Sequence, residues 1–193
     1  MTATPELPEL PLVDRDRLPD ALRAQVERLE SLDADTTFHR YVAHSAPTAQ
    51  FYWDDFYQRL FYGGTLPVRT KEVVRLALAA LSGCTFCRAG DIDAARRQGL
   101  SDTEINALLA LDPDPLPERD RVAVDLAIRL SPFADERPMT ADDWATLRTH
   151  FSDEEVGELL LVTSVLAGVG RMLSTAGFIP RTCELPTAEG TDR

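Results

Sequence analysis

Residues 67–99 read PVRTKEVVRLALAALSGCTFCRAGDIDAARRQG, and the pattern of this stretch decides the fold. Pro67 stands where a first-turn proline belongs, since its missing N–H has no partner to lose there. A helix is predicted from it to about Leu81, apolar on most faces and therefore central. Ser82-Gly83 breaks that helix, and a second is predicted from Cys84 to Gly99. Outward from this pair the helical spacing continues. Leu22, Val26 and Leu29 mark a helix over Asp20–Leu32. Thr48–Tyr62 is an aromatic-rich helix (Phe51, Tyr52, Trp53, Phe56, Tyr57, Phe61, Tyr62) stopped by Gly63-Gly64. Ser101-x-x-Glu104 is a capping-box pattern opening a short helix through Leu111. Pro117 opens another to about Leu130, Thr140 caps one through Thr149, and Ser152 or Asp153 caps the last long helix to about Ala176. No stretch joins period-two alternation to β-branched residues, so the predicted class is all-α.

The 193 residues suffice for one domain with a real core. They divide into a proline-rich, flexible N-terminal arm (1–19), a single helical domain (20–180) and a polar C-terminal tail (181–193). A formal net charge of −12 argues against nucleic acid and anionic membrane surfaces as partners, both of which need clustered Lys and Arg. The N-terminus lacks a basic segment followed by an apolar one, and the most apolar run, Leu159–Gly170, is shorter than the roughly 20 residues a membrane span needs. A cytoplasmic location is expected. Gly168-Val-Gly170 follows no strand and is no dinucleotide loop.

Three cysteines in a reducing compartment do not form a disulfide scaffold, but two of them make Cys84-Thr-Phe-Cys87. At a helix start the unpaired backbone N–H groups favour a thiolate. The spacing lets one thiolate attack a substrate and the other resolve the adduct as a disulfide. No second cysteine or histidine pair completes a zinc site, so neither metal nor cofactor is expected, and Cys183 stands far along the chain. Glu72 lies in an otherwise apolar helix, where a free carboxylate is costly to bury. Two readings stand together: a salt bridge to Arg69 or Arg75, three residues away on either side, and a general base with raised proton affinity.

Glu72, Cys84 twelve residues on, Cys87, and the flanking Pro67-x-x-x-Lys71-Glu72, Gly99-Leu-x-x-x-Glu104-Ile and Asp153–Arg171 segments resemble the alkylhydroperoxidase D / carboxymuconolactone decarboxylase family over roughly residues 20 to 180. The resemblance implies an all-α, alkylhydroperoxidase D-like helical bundle assembled as a homo-oligomer, whether dimer, trimer or hexamer. It implies Cys87 as the peroxidatic thiol, Cys84 as the resolving thiol recharged by an external thiol reductant, and Glu72 as the proton relay. The family's histidine four residues after the second cysteine is Asp91 here, and Phe86 stands between the cysteines in place of a polar group. An ionised aspartate there raises a neighbouring thiol's pKa by like-charge repulsion.

Asp91 has three readings: a protonated donor, a structural partner of Arg88, or one of a carboxylate pair with Glu72. His39 or His44 could fold over the cysteines and replace the relay, while His150 reads as a surface residue at a helix end. Arg171 could neutralise Glu72 or bind a substrate carboxylate. Three functions compete: a thiol-dependent oxidoreductase acting on hydroperoxides or disulfides, a cofactor-free lyase or isomerase on a small carboxylated metabolite, and a non-catalytic oligomeric scaffold.

Overall fold

Helix α4 (Val68–Leu81) is apolar on two sides, and the chain folds around it. The computed structural model describes residues 11–32, 36–83, 88–132, 134 and 138–176. Every regular element among them is helical. A 3₁₀ turn (Arg15–Arg17) leads into α1 (Asp20–Glu30), α2 (Thr37–Val42), α3 (Ala46–Ala49) and a π-helix (Gln50–Phe61). After α4 come α5 (Arg88–Arg97), α6 (Asp102–Leu109), α7 (Glu118–Leu130), α8 (Ala141–His150) and α9 (Asp153–Thr175).

One face of α4 places Val74 and Leu78 in the larger core, with Tyr52, Phe56 and Phe61 of the π-helix, Leu126 of α7 and Leu159 and Val162 of α9. The other face places Val73, Leu76 and Ala77 in a second core with Ala95 of α5, Ile105 and Leu108 of α6, and Val124 of α7. The capping boxes at Ser101, Thr140 and Ser152 are all formed, each side chain accepting the N–H three residues on while the acid there accepts in return. Gly99, at φ +83°, closes α5 by letting the Leu100 N–H reach back to the Ala95 carbonyl.

Four features differ from the sequence expectation. The aromatic helix is one α-turn followed by twelve residues of π-helix, a form seen mostly as single-turn bulges. Thr37–Val42 is a helix that no periodicity announced, being only six residues long. The last part of the expected N-terminal arm is docked: Leu18 is 2% exposed against Leu22 and Val26, and the Val13 N–H meets the Arg40 carbonyl. Among the described residues α9 alone has the length and apolarity to cross a membrane; it buries Val156, Leu159, Val162 and Leu166 in the domain core instead.

Lys71 fixes the end of the π-helix. Its side chain is fully buried, donates to the Leu60 carbonyl at 2.7 Å and pairs with Glu158 of α9. A cation at the carbonyl end of a helix is electrostatically favoured. Glu158 also accepts the Thr65 N–H at 2.8 Å. Gly64 permits this, because a β-carbon there would lie 2.1 Å from the Glu158 carboxylate. Removing one partner of such a pair leaves a buried charge uncompensated, so Lys71→Ala is expected to cost about 3 kcal/mol in urea unfolding. The double variant with Glu158→Ala should recover part of that loss. A loss below about 1 kcal/mol, typical of a solvated pair, would show that this contact does not hold the helix end.

Candidate functional site

The side of α4 that faces α5 and the π-helix carries Glu72 and Arg75, one helical turn apart. Glu72 is 0% exposed. Arg75 Nη2 lies 2.5 Å from Glu72 Oε2, and Arg75 Nε lies 3.2 Å from Asp91 Oδ1 on α5. One guanidinium therefore stands between two carboxylates. The Phe61 ring lies 5.3 Å from Arg75 Cζ and covers another face. The Tyr57 ring packs 5.2 Å from Tyr52 and 5.3 Å from Phe61.

Burial dominates the electrostatics. It pushes the Glu72 carboxyl up to about 7; Arg75 pulls it down, Asp91 pushes it up, and Arg97 of α5 pulls weakly down. Neither Glu72 oxygen meets a hydrogen-bond donor in good alignment, so little beyond the Arg75 charge favours the carboxylate. Asp91 is likewise raised by burial and lowered by Arg75. Tyr52 and Tyr57 are raised, first by burial. The arrangement holds a proton on Glu72 at mildly acid pH and releases it near neutrality, which suits general acid/base work.

The expected residues fall out as follows. Glu72 and Asp91 are brought together, and the cation on Glu72 is Arg75. Arg69 instead serves Glu104 at 2.6 Å, Asp120 at 3.2 Å and the Gly99 carbonyl at 3.1 Å. Asp91 takes Arg75 on α4 as its partner; the Arg88 side chain is outside the described residues. Cys84, Phe86, Cys87 and Cys183 also lie outside them. Arg171 is exposed on α9. His44 is exposed, with its ring nitrogen at the Pro11 carbonyl. His39 stacks on Trp53 at 4.7 Å, and Trp53 stacks on Tyr57 at 5.5 Å, so His39 shares one aromatic wall with Tyr57. His150, at the end of α8, is 3.8 Å from Glu118. Among the described residues no group of three or more histidine, cysteine or acidic side chains could hold a metal ion. The Phe61 ring was not legible as a site group, because the aromatic helix reads as core and interface. An open cleft of ≈ 280 Å³ between α7 and α8, lined by Glu118, Arg121, Asp125 and Asp143, has no connection with this cluster.

An all-helical domain built on a central helix with a buried acid/base cluster is the class that these features define. The Carboxymuconolactone decarboxylase family model matches residues 47–128, from α3 to α7, which include Glu72, Arg75 and Asp91. Over that stretch the chain resembles the family. No curated protein matches the sequence. Among solved structures, an uncharacterized peroxidase-related protein from Silicibacter sp. TM1040 superposes with a TM-score of 0.72 at 22% identity, covering 94% of this chain and 96% of that one. A peroxidase-related protein from Ralstonia eutropha JMP134, described as an alkylhydroperoxidase AhpD core, gives 0.68 at 21% identity over 90% and 92%. A protein of unknown function from Agrobacterium tumefaciens, associated with antioxidant defence, gives 0.51 at 21% over 81% and 92%. At these identities the likeness is one of fold.

The raised Glu72 value has a thermodynamic consequence. Between the ordinary value of 4.5 and about 7 the folded protein binds more protons than the unfolded chain. Stability from this group is thus fully present below 4.5 and is lost as pH rises through about 7. The loss amounts to about 3 kcal/mol. Glu72→Gln should remove that decline from unfolding free energies measured between about pH 5 and 8. An unchanged pH profile in Glu72→Gln would show that the carboxyl titrates normally.

Proposed function

We propose that the protein is a thiol-dependent oxidoreductase that reduces hydroperoxides or exchanges disulfides through Cys87 and Cys84, with Glu72 as its proton relay. One observation carries this reading: a fully buried glutamate, poised near neutrality, stands on the helix that ends at Leu81, three residues before Cys84. The match of residues 47–128 to the Carboxymuconolactone decarboxylase family model and the fold shared with peroxidase-related proteins support it. In this chemistry the Cys87 thiolate attacks the terminal peroxide oxygen and the O–O bond breaks. The departing alkoxide takes a proton, leaving an alcohol and a Cys87 sulfenic acid. The Cys84 thiol then displaces water from that sulfur and forms a disulfide. An external dithiol supplies two electrons and two protons to restore both cysteines. Glu72 accepts the thiol proton and returns it to the leaving oxygen.

The proposal includes a cytoplasmic setting, which keeps the pair reducible, and a homo-oligomer. The solvent face of α9, with Gly157, Leu161, Ser164, Gly168 and Met172 all exposed, offers a surface for a second copy. Asp91 favours a second reading. Two carboxylates flanking Arg75 form a paired acid/base site, which suits a cofactor-free lyase or isomerase acting on a small carboxylated metabolite.

Thiol-dependent hydroperoxide consumption separates the two. The first reading expects activity in the native protein and a loss of at least about a hundredfold in Cys87→Ser, the scale on which an essential nucleophile contributes. Activity that survives the substitution, or none to begin with, overturns it. The lyase reading expects full turnover of its substrate in the double Cys84→Ser, Cys87→Ser variant.

A further inference from the structure

The contacts of Arg75 with Asp91 and Phe61 join α5 to the π-helix, and α1 reaches the same two elements from outside. At the C-terminal end of α1, Leu29 is seated against Gly90 of α5. A β-carbon at Gly90 would lie 2.8 Å from Leu29 Cδ2, so glycine at this position is what lets α1 come so close. One residue before, Arg28 Nη1 lies 3.1 Å from Asp93 Oδ2. Gly90 and Asp93 share one side of α5. Asp91 follows Gly90 directly and points about 100° round the helix from it. Further back along α1, Leu22 and Val26 form a small cluster with Leu18, onto which Val13, Ala43 and Trp53 of the π-helix pack. The apolar stripe Leu22, Val26 and Leu29 thus runs from the aromatic wall to the residue beside Asp91.

The attachment of α1 is light. Leu22 and Val26 join neither of the two main cores. Arg28 and Asp93 are 40% and 37% exposed, so their attraction is screened by solvent and salt. Asp93 also pairs with Arg97 of its own helix at 3.1 Å, and so keeps a counter-ion when Arg28 leaves. An element held by few buried apolar contacts opens at a lower free energy than the core.

We propose that α1 is a lid over the candidate site: Leu29 on Gly90 is its seat, Arg28 with Asp93 is its latch, and its opening admits solvent and substrate to the cluster of Glu72, Arg75 and Asp91. This rests on reading that cluster as the working site. Closed, the lid helps to keep water from the Glu72 carboxyl, which is 0% exposed. Open, it leaves both main cores and the ion pairs of α4 in place, so access does not require the domain to unfold.

The test is carboxyl labelling of the full-length protein by a water-soluble carbodiimide and glycinamide at mildly acid pH, read by mass spectrometry. The rate at Glu72 is compared with that at Asp120, which is buried on α7 and held by Arg69. Leu29→Ala empties the seat and should raise the Glu72 rate at least about tenfold, the scale set by truncating a buried leucine. Arg28→Glu reverses the latch without removing an apolar side chain and should raise it about threefold, the scale of an exposed ion pair. The Asp120 rate should stay unchanged in both. A Glu72 rate unchanged in either variant overturns the proposal, because α1 would then not control access. An Asp120 rate that rises alongside overturns it too, because the whole domain would then be loosened. The readout does not use turnover. The expected labelling pattern in a protein that consumes no hydroperoxide would sink the thiol reading and leave the lid standing.

Discussion

Charge buried on α4 is the constraint around which the rest of the domain is arranged. A helix wedged between two apolar cores cannot carry unpaired ions, because desolvation costs several kcal/mol for each. Yet α4 carries Glu72 and the three cations Arg69, Lys71 and Arg75, and each cation recruits different neighbouring elements. Arg69 ties down α6 and α7 through Glu104 and Asp120. Lys71 ties the end of the π-helix to α9 through the Leu60 carbonyl and Glu158. Arg75 ties α5 to the π-helix through Asp91 and the Phe61 ring. Apolar burial supplies most of the driving force, but it is non-directional. The ion pairs have fixed partners and lengths, so they specify which helix lies against which face.

This division explains what could be read from the sequence. The helices that bury a regular stripe, α4, α7 and α9, announce themselves, because a repeated apolar spacing has one structural solution. The three capping boxes are equally legible, since Ser or Thr with an acid three residues on solves a local hydrogen-bond problem. The π-register is not legible. Tyr52 and Phe56 sit at an α-helical spacing, and the many rings of the segment hide the five-residue step to Phe61; the wider winding sets all three in the core against α4, with Lys71 anchored at the Leu60 carbonyl. The docking of Val13 and Leu18 is hidden for a related reason. A proline-rich segment has no period, and its buried Leu18 and half-buried Val13 look like ordinary loop residues until the groove beside α1 is known.

In the site, residue types were legible and partners only in part. Glu72 stands out because a carboxylate in an apolar helix demands an explanation. Arg75 is among its obvious partners at three residues' spacing. The link from Arg75 to Asp91 joins two helices and has no local signature, and the nearer basic residue for Asp91 in sequence is Arg88. The aromatic contact to Arg75 was equally hidden, since an aromatic stripe is most simply read as core. Here the stripe is both: Tyr52 and Phe56 pack in the main cluster, while the Phe61 ring of that cluster also covers Arg75.

The exchange of histidine for aspartate at position 91, relative to the pattern that the family resemblance implies, changes how protons can be handled. A histidine changes charge near neutral pH and can pass a proton on. Asp91 stands 3.2 Å from Arg75 Nε, where burial raises its carboxyl and Arg75 lowers it. Proton exchange near neutrality then falls to Glu72, whose carboxyl is lifted by burial into the range that a histidine would otherwise cover. Arg75 prevents that lift from becoming excessive, and Asp91 prevents Arg75 from abolishing it. A buried acid between two opposing charges is therefore a means of placing a titration near neutrality without an imidazole. That requirement is common to a thiol oxidoreductase and a cofactor-free lyase. The two proposed readings differ in what attacks the substrate, and either would draw its proton transfer from Glu72.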